Sequence, residues 1–222
     1  MQKARSTLVV YSGGLDSTVM LHKLAKDGIL KAAITFNYGQ KHSKELHFAA
    51  FNCQRLGIPL CALDLRSITE VFGNNSLTDA AKEVPDGSYE RSNMQSTVVP
   101  NRNMIMLSIA TARAISLGCD SVAYAAHSGD HEIYPDCREE FALALGKAMQ
   151  LCHYAPIDLL RPFVNISKAD IVRLGADIGV DFSKTWSCYK GAALHCGKCG
   201  TCVERIQAFA EAGVEDPTEY ER

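Results

Sequence analysis

With 222 residues, 47% hydrophobic and 22% charged, the chain is sized for one substantial α/β domain and a small appendage. A formal net charge of −2 gives no global attraction for nucleic acid or an anionic membrane. The early apolar run at 7–11 is cut by Ser12-Gly13-Gly14, and no apolar stretch approaches the ~18 residues a bilayer span needs. Neither a signal peptide nor membrane insertion is expected, and the protein is placed in the cytoplasm.

In chain order, residues 7–11 read as a buried strand and 17–27 as a helix. A second strand is expected at 32–37. A helix at 43–56 then puts Leu46, Ala49, Ala50 and Cys53 on one face, and a third strand follows at 58–63. Residues 66–100 carry Gly73-Asn74-Asn75, Pro85-Asp86-Gly87 and few apolar side chains, so they read as a long excursion or lid. A helix at 104–117 ends against Gly118, and 121–125 is a fourth strand. Residues 139–151 form a helix, 157–160 a fifth strand, and 167–178 a helix opened by Ser167. The chain closes with a cysteine-bearing segment from 184 and a short helix at 203–212.

This alternation predicts an α/β fold with a mostly parallel, doubly wound, Rossmann-like sheet covered on both faces. Ligands of such sheets bind at the carboxyl ends of the strands, which marks the first strand–helix junction. The main domain is expected over 1–183 and a small metal-binding segment over 184–222. Strand order is not readable from local patterns.

That first junction reads Tyr11-Ser12-Gly13-Gly14-Leu15-Asp16-Ser17-Thr18. Paired glycines let a backbone turn tightly and bring its N–H groups to an anion, and a helix start adds positive dipole character. Ser12, Ser17 and Thr18 add hydroxyl donors, and Asp16 beside a phosphate suits a Mg²⁺ holder. An ordinary capped strand–turn–helix is the plainer reading of a lone Gly-Gly. The stretch lacks the Gly-Lys-Ser/Thr ending of the common nucleotide loop and the dinucleotide glycine spacing. It is similar to Ser-Gly-Gly-x-Asp-Ser, the loop of the N-type ATP pyrophosphatases. That resemblance implies ATP with Mg²⁺ as co-substrate, cleaved between the α- and β-phosphates. The nucleotide-binding stretch then runs from Tyr11 to Leu21 and includes Leu15, Val19 and Met20.

Nine cysteines in a reducing compartment need an explanation. Cys53, Cys61, Cys119, Cys137 and Cys152 are scattered and read as small buried hydrophobes. Cys188-x7-Cys196-x2-Cys199-x2-Cys202 offers the four thiolates of a tetrahedral structural Zn²⁺. With every position filled by protein, a catalytic zinc-bound water is not expected. Two alternatives are unliganded thiols and a persulfide-carrying pair of the kind some tRNA-thiolating relatives use.

With both features in place, further blocks narrow the resemblance. They are Asn37-Tyr38-Gly39-Gln40-Lys41-His42, Val99-Pro100-Asn101-Arg102-Asn103, Tyr134-Pro135-Asp136-Cys137-Arg138, Trp186-Ser187-Cys188-Tyr189, Arg205, and the ending Asp216-Pro217-Thr218. Together they resemble the 7-cyano-7-deazaguanine synthase family. The resemblance implies conversion of 7-carboxy-7-deazaguanine and ammonia to the nitrile, through adenylated carboxylate and adenylated amide, on the route to queuosine. It also implies a homodimer.

On this reading Ser12 to Ser17 cradle the β- and γ-phosphates, while Thr35, Phe36 and Asn37 frame the adenine. Arg102, beside Asn101, meets a phosphate or the substrate carboxylate. Lys168 and Lys184 are candidates to reach a phosphate, although solvated lysines are common at such positions. Asp130, Tyr134, Asp136 and Arg138 fall just past the fourth strand, on the expected ligand edge. A guanine-like base wants a carboxylate and an aromatic face, so Asp130 or Asp136 is expected to read it, while Tyr134 either stacks on it or packs in the core. His127 and His131 are spaced for a metal but lack an obvious third ligand, and His42 and His47 do not share a helix face. Rival functions are a tRNA sulfurtransferase using the cysteines and a zinc-knuckle RNA-binding protein, the latter disfavoured by the absence of a basic arm.

Overall fold

The structure is a computed structural model and describes residues 5–221. Its elements are β1 (Thr7–Val10), α1 (Leu15–Lys26), β2 (Leu30–Asn37), α2 (Glu45–Leu56), β3 (Leu60–Asp64) and a single turn α3 (Arg91–Met94). There follow α4 (Arg102–Ser116), β4 (Ser121–Ala123), α5 (Glu139–Leu151), β5 (Asp158–Leu160), α6 (Lys168–Asp177) and α7 (Gly200–Ala212). The expected strands and long helices are all present, with ends displaced by a few residues. The largest shift is at α7, which starts at Gly200 rather than at 203.

The five strands are parallel in the order β3-β2-β1-β4-β5. Successive side chains of a strand point to opposite faces, so the buried runs serve two cores. Leu8, Ala32, Ile34, Val122 and Leu159 pack with α4 and α5 on one face. Val9, Ala33 and Ala123 pack with α1, α6 and α7 on the other. Strand order reverses between β1 and β4, and there the loops leaving the two strands diverge and open a crevice.

Residues 66–100 do not hang free. Phe72, Leu77, Val84, Met94 and Val99 are buried in the core on the α4 face, which they extend beyond the sheet. The backbone N–H of Ser76 donates to the Ser96 carbonyl at 2.7 Å and closes the segment on itself.

The cysteine-bearing segment is also built into the main body. The Trp186 N–H donates to the Gly13 carbonyl at 3.0 Å, and the Gly87 N–H donates to the Lys198 carbonyl at 2.8 Å. Arg205, on α7, has no exposed surface. Its guanidinium donates to both oxygens of Asp216, to Thr185 Oγ1 at 2.8 Å and to the Phe182 carbonyl at 3.2 Å. A buried cation is tolerated only when its donors are met this fully. The clip fixes the stretch 182–187, a helical turn followed by the segment that carries Trp186, against the glycine turn.

Candidate functional site

The crevice at the β1/β4 reversal is lined from four sides. The glycine turn supplies its floor, the ends of β2 and α4 one wall, and the residues after β4 another. The strap at 186–189 covers it.

In the turn, Gly13 adopts φ +89°. A Cβ there would lie 2.1 Å from the Glu45 carbonyl oxygen and 2.8 Å from the Ala49 nitrogen, so the first turn of α2 seats directly on it. Ser12 Oγ accepts from the Gly14 N–H at 3.1 Å, and Ser17 Oγ donates to the Gly14 carbonyl at 3.1 Å. Thr18 Oγ1 donates to the same carbonyl at 2.8 Å. The side chains of the motif therefore hold the turn in shape. Asp16 opens toward the crevice: Oδ2 lies 3.3 Å from Lys168 Nζ, while the buried Oδ1 has no hydrogen-bond partner among the described residues. An orphaned carboxylate oxygen next to an anion-binding turn suits a divalent cation carried in with a polyphosphate.

Lys168 is the first residue of α6, whose start is fixed by the reciprocal capping of Ser167 and Asp170. Its ammonium sits 2.6 Å from Glu204 Oε2. Burial works against that charge, yet Asp16, Glu204 and Asp130 hold the ammonium above its usual range. Glu204, which sequence reasoning missed, comes from α7. Burial raises its carboxyl against the pull of Lys168 and His127. The charge cluster is completed by His127 and Asp130: His127 Nε2 lies 3.6 Å from Asp130 Oδ2 and 3.7 Å from Glu204 Oε1. Asp130 Oδ1 accepts from the Tyr89 hydroxyl at 2.8 Å. Burial opposes ionisation of Asp130, but His127, Lys168 and Tyr89 together keep its carboxyl low.

The other half of the crevice is aromatic. Tyr38, Tyr134 and Tyr189 line it around Arg102. Arg102 Nη1 donates to the Tyr38 hydroxyl at 3.2 Å, and the guanidinium lies 5.9 Å from the ring centres of both Tyr38 and Tyr134. Tyr134 shares a hydrogen bond with Thr97 Oγ1 at 2.8 Å, which fixes its ring from the 66–100 segment. Thr35 and Phe36, at the end of β2, also line the crevice, and Thr35 Oγ1 is buried without a partner among the described residues.

Several expected residues lie elsewhere. The Asp136 carboxylate accepts the Asn103 N–H at 2.9 Å and so serves the start of α4. Arg138 Nε donates to the His131 carbonyl at 2.8 Å. Lys184 stands over the Phe51 ring with Nζ 6.0 Å from its centre. Asn101 is exposed, with φ +58°, and turns the chain into α4. Asn37 Oδ1 accepts the Gly39 N–H at 3.2 Å. These five do not line the crevice. Tyr11, Ser12, Gly14, Leu15, Ser17, Arg102, Asp130, Tyr134 and Lys168 do. Gly13, Thr18, Val19, Met20 and Leu21 sit behind that lining, the last four packed in the core. His42 is buried on the Tyr189 ring at 4.8 Å between centres, whereas His47 is exposed.

Behind the crevice wall formed by Ser187, Tyr189 and Thr201, Cys188, Cys196, Cys199 and Cys202 are buried with their sulfurs all within 4.8 Å of one another. The Cys196 and Cys202 sulfurs are 3.9 Å apart, and a tetrahedron of Zn–S bonds of about 2.3 Å has edges of about 3.8 Å. The N–H groups of Cys199 and Lys198 donate to Cys196 Sγ at 3.2 and 3.4 Å, which offsets thiolate charge. The donor set fits a closed, four-sulfur metal centre.

Against known proteins, the family model for "Queuosine biosynthesis protein QueC" matches residues 6–213. The chain is 53% identical to a 7-cyano-7-deazaguanine synthase of Rhizobium meliloti, over 97% of this chain and 92% of that one. It is 49% identical to the enzyme of the same name from Marinomonas sp., over 98% and 99%. For Caldicellulosiruptor bescii the figures are 51% identity over 96% of each chain. Among solved structures, the NMN synthetase from Francisella tularensis aligns with a TM-score of 0.54 at 14% identity, over 96% of this chain and 79% of that one. That last similarity is one of fold.

Proposed function

Since the chain belongs to the queuosine biosynthesis protein QueC family, we propose that its crevice converts 7-carboxy-7-deazaguanine, ammonia and ATP to 7-cyano-7-deazaguanine, AMP and pyrophosphate. The observation that carries this reading is the junction of a glycine turn, an orphaned Asp16 oxygen and an aromatic chamber in one crevice at the strand reversal.

A carboxylate oxygen is a poor leaving group, and AMP is a good one. The protein has to bring the α-phosphate to the carboxylate and spread the developing charge. The turn at 12–17 offers backbone N–H groups and the α1 start to the β- and γ-phosphates. Lys168, held by Glu204, stands beside them as a fixed cation. Asp16 is the residue that would hold Mg²⁺, which supplies further neutralisation when bound. The unpartnered Thr35 hydroxyl and the backbone around Phe36 frame the adenine.

The deazaguanine stacks among Tyr38, Tyr134 and Tyr189. Asp130 is favoured over Asp136 as the reader of its N1–H and exocyclic amine, because Asp130 lines the crevice and Asp136 does not. Arg102 neutralises the carboxylate before adenylation, and after it the leaving AMP. Ammonia displaces AMP to give the amide, and a second adenylation, on the amide oxygen, permits loss of that oxygen and leaves the nitrile.

The four cysteines hold a structural Zn²⁺ in this reading. Their complete burial counts against a persulfide carrier, which needs an accessible sulfur. A homodimer completes the proposal, on the strength of the family resemblance.

The test is direct: purified protein with ATP, Mg²⁺, ammonium and 7-carboxy-7-deazaguanine should yield AMP, pyrophosphate and a product with the mass of the nitrile. ADP and phosphate alone would refute the adenylation chemistry. Asp16→Asn should lower turnover about 10²–10³-fold, the usual effect of losing one charge-stabilising group. Its melting temperature should stay within a few degrees of wild type, because Lys168 keeps Glu204 as partner. Unchanged turnover would remove Asp16 from the site.

A further inference from the structure

Three carboxylates line the crevice, Asp16, Glu45 and Asp130, and they differ in company. Asp16 faces Lys168, and Asp130 is held among His127, Lys168 and Tyr89. Glu45 is the exception. It is the first residue of α2, buried, and its Oε1 accepts from the neutral amide of Gln40 at 3.1 Å. His42 Nε2 stands 3.6 Å away, but burial, reinforced by Arg102, lowers that imidazole to about 3 and leaves it uncharged. Glu45 Oε2 takes no hydrogen bond among the described residues.

The position matters as much as the company. The Glu45 main chain rests on Gly13 of the phosphate turn, as the 2.1 Å Cβ distance records. The amide that holds its side chain also accepts the Tyr38 N–H at 2.8 Å and donates to the Phe36 carbonyl at 3.1 Å. Glu45 therefore lies between the turn that takes the phosphates and the aromatic chamber that takes the base. The carbon under attack must sit between the same two places.

We propose that Glu45 is the general base of the nitrogen-transfer steps, an assignment that rests on the function proposed above. As ammonia adds to the acyl adenylate, a C–N bond forms, the C–O bond to AMP breaks with its electron pair leaving on the phosphate oxygen, and Glu45 takes the nitrogen's proton. In the second round the adenylated amide loses its remaining N–H proton to Glu45, the C–N triple bond is completed, and AMP departs again.

Protonation chemistry agrees with the geometry. Burial raises the Glu45 carboxyl to about 7, with the Gln40 hydrogen bond and Arg102 pulling the other way. The titratable groups facing it are His42 from the turn before α2, Tyr38 from the end of β2, and Arg102 from α4. A base with a midpoint near the working pH accepts and returns protons with the least mismatch.

The decisive variant is Glu45→Gln, which keeps the shape. Exchange of labelled pyrophosphate into ATP, driven by 7-carboxy-7-deazaguanine without ammonia, should persist within about threefold of wild type. Ammonia-dependent amide and nitrile formation should fall about 10²–10⁴-fold. Hydroxylamine, a stronger nucleophile with less need of a base, should still trap the acyl adenylate as hydroxamate in the variant. Loss of pyrophosphate exchange along with amide formation would overturn the assignment and make Glu45 a structural residue. Normal nitrile formation would overturn it as well. Absence of pyrophosphate exchange in the wild-type protein would instead refute the adenylation reading itself. Should Glu45→Gln fail to fold, Gln40→Met provides a second measurement. Removing the amide that favours ionised Glu45 should move the acidic limb of the ammonia-dependent rate to higher pH, and an unmoved limb would count against the proposal.

Discussion

Gly13→Ala should leave a protein that is destabilised by roughly 3–5 kcal/mol and retains less than about 1% of wild-type turnover. Two costs combine. At φ +89° any L-residue with a Cβ is strained by about 1–2 kcal/mol. The added methyl would also stand 2.1 Å from the Glu45 carbonyl oxygen, so either α2 or the turn must move. Neither element can yield without disturbing the site, because α2 carries Glu45 and the turn carries Ser12 and Asp16. A displacement near 1 Å at reacting groups is worth about two orders of magnitude in rate. Gly28→Ala separates the two costs. It has φ +70° with nothing within 4 Å of the added Cβ, so it should lose only about 1–2 kcal/mol and keep full turnover. Equal behaviour of the two variants in melting and rate measurements would mean that the contact with α2 is not tight.

Cys199→Ser should have the second large effect. It removes one donor from the four-sulfur centre, and the sulfur also sits where α7 begins, Cys199 being that helix's cap residue. Binding of a structural zinc contributes on the order of 10 kcal/mol to small metal-folded modules. The variant should therefore bind less than one metal per chain and melt at least about 10 °C lower. Local consequences can be read in Trp186, the sole tryptophan, which lies 4.1 Å from the His195 ring and donates its indole N–H to the Cys188 carbonyl at 2.7 Å. Its fluorescence should shift to the red in Cys199→Ser as the strap loosens. Pyrophosphate exchange should fall with it, since the Trp186 N–H holds the Gly13 carbonyl. A variant of unchanged melting temperature and unchanged metal content would show that the sulfurs do not hold a metal.

Local patterns carried much of this molecule. The strands and long helices follow from apolar runs and periodicity, and the glycine turn and the four-cysteine cluster from short motifs whose residues are near in sequence. What was hidden depends on distant chain segments meeting. Residues 66–100 read as a long excursion or lid because their apolar side chains are sparse. Yet Phe72, Leu77, Val84, Met94 and Val99 happen to fall where the chain touches the core. Asp136 and Arg138 sat near the correct strand edge, but their hydrogen bonds turn them toward α4 and His131. Glu204 and Glu45 carry no signal in sequence beyond being acidic residues in a helix. Only the meeting of α6 with α7, and of α2 with the glycine turn, gives either of them a role.

The bond from Trp186 to Gly13 joins residues far apart along the polypeptide, and Arg205 must meet Asp216 before that bond is secured. The glycine turn precedes its brace along the chain, and the two meet only when the intervening sheet and helices are in place. The turn therefore takes its final shape late in folding, once the distant stretch that braces it has docked.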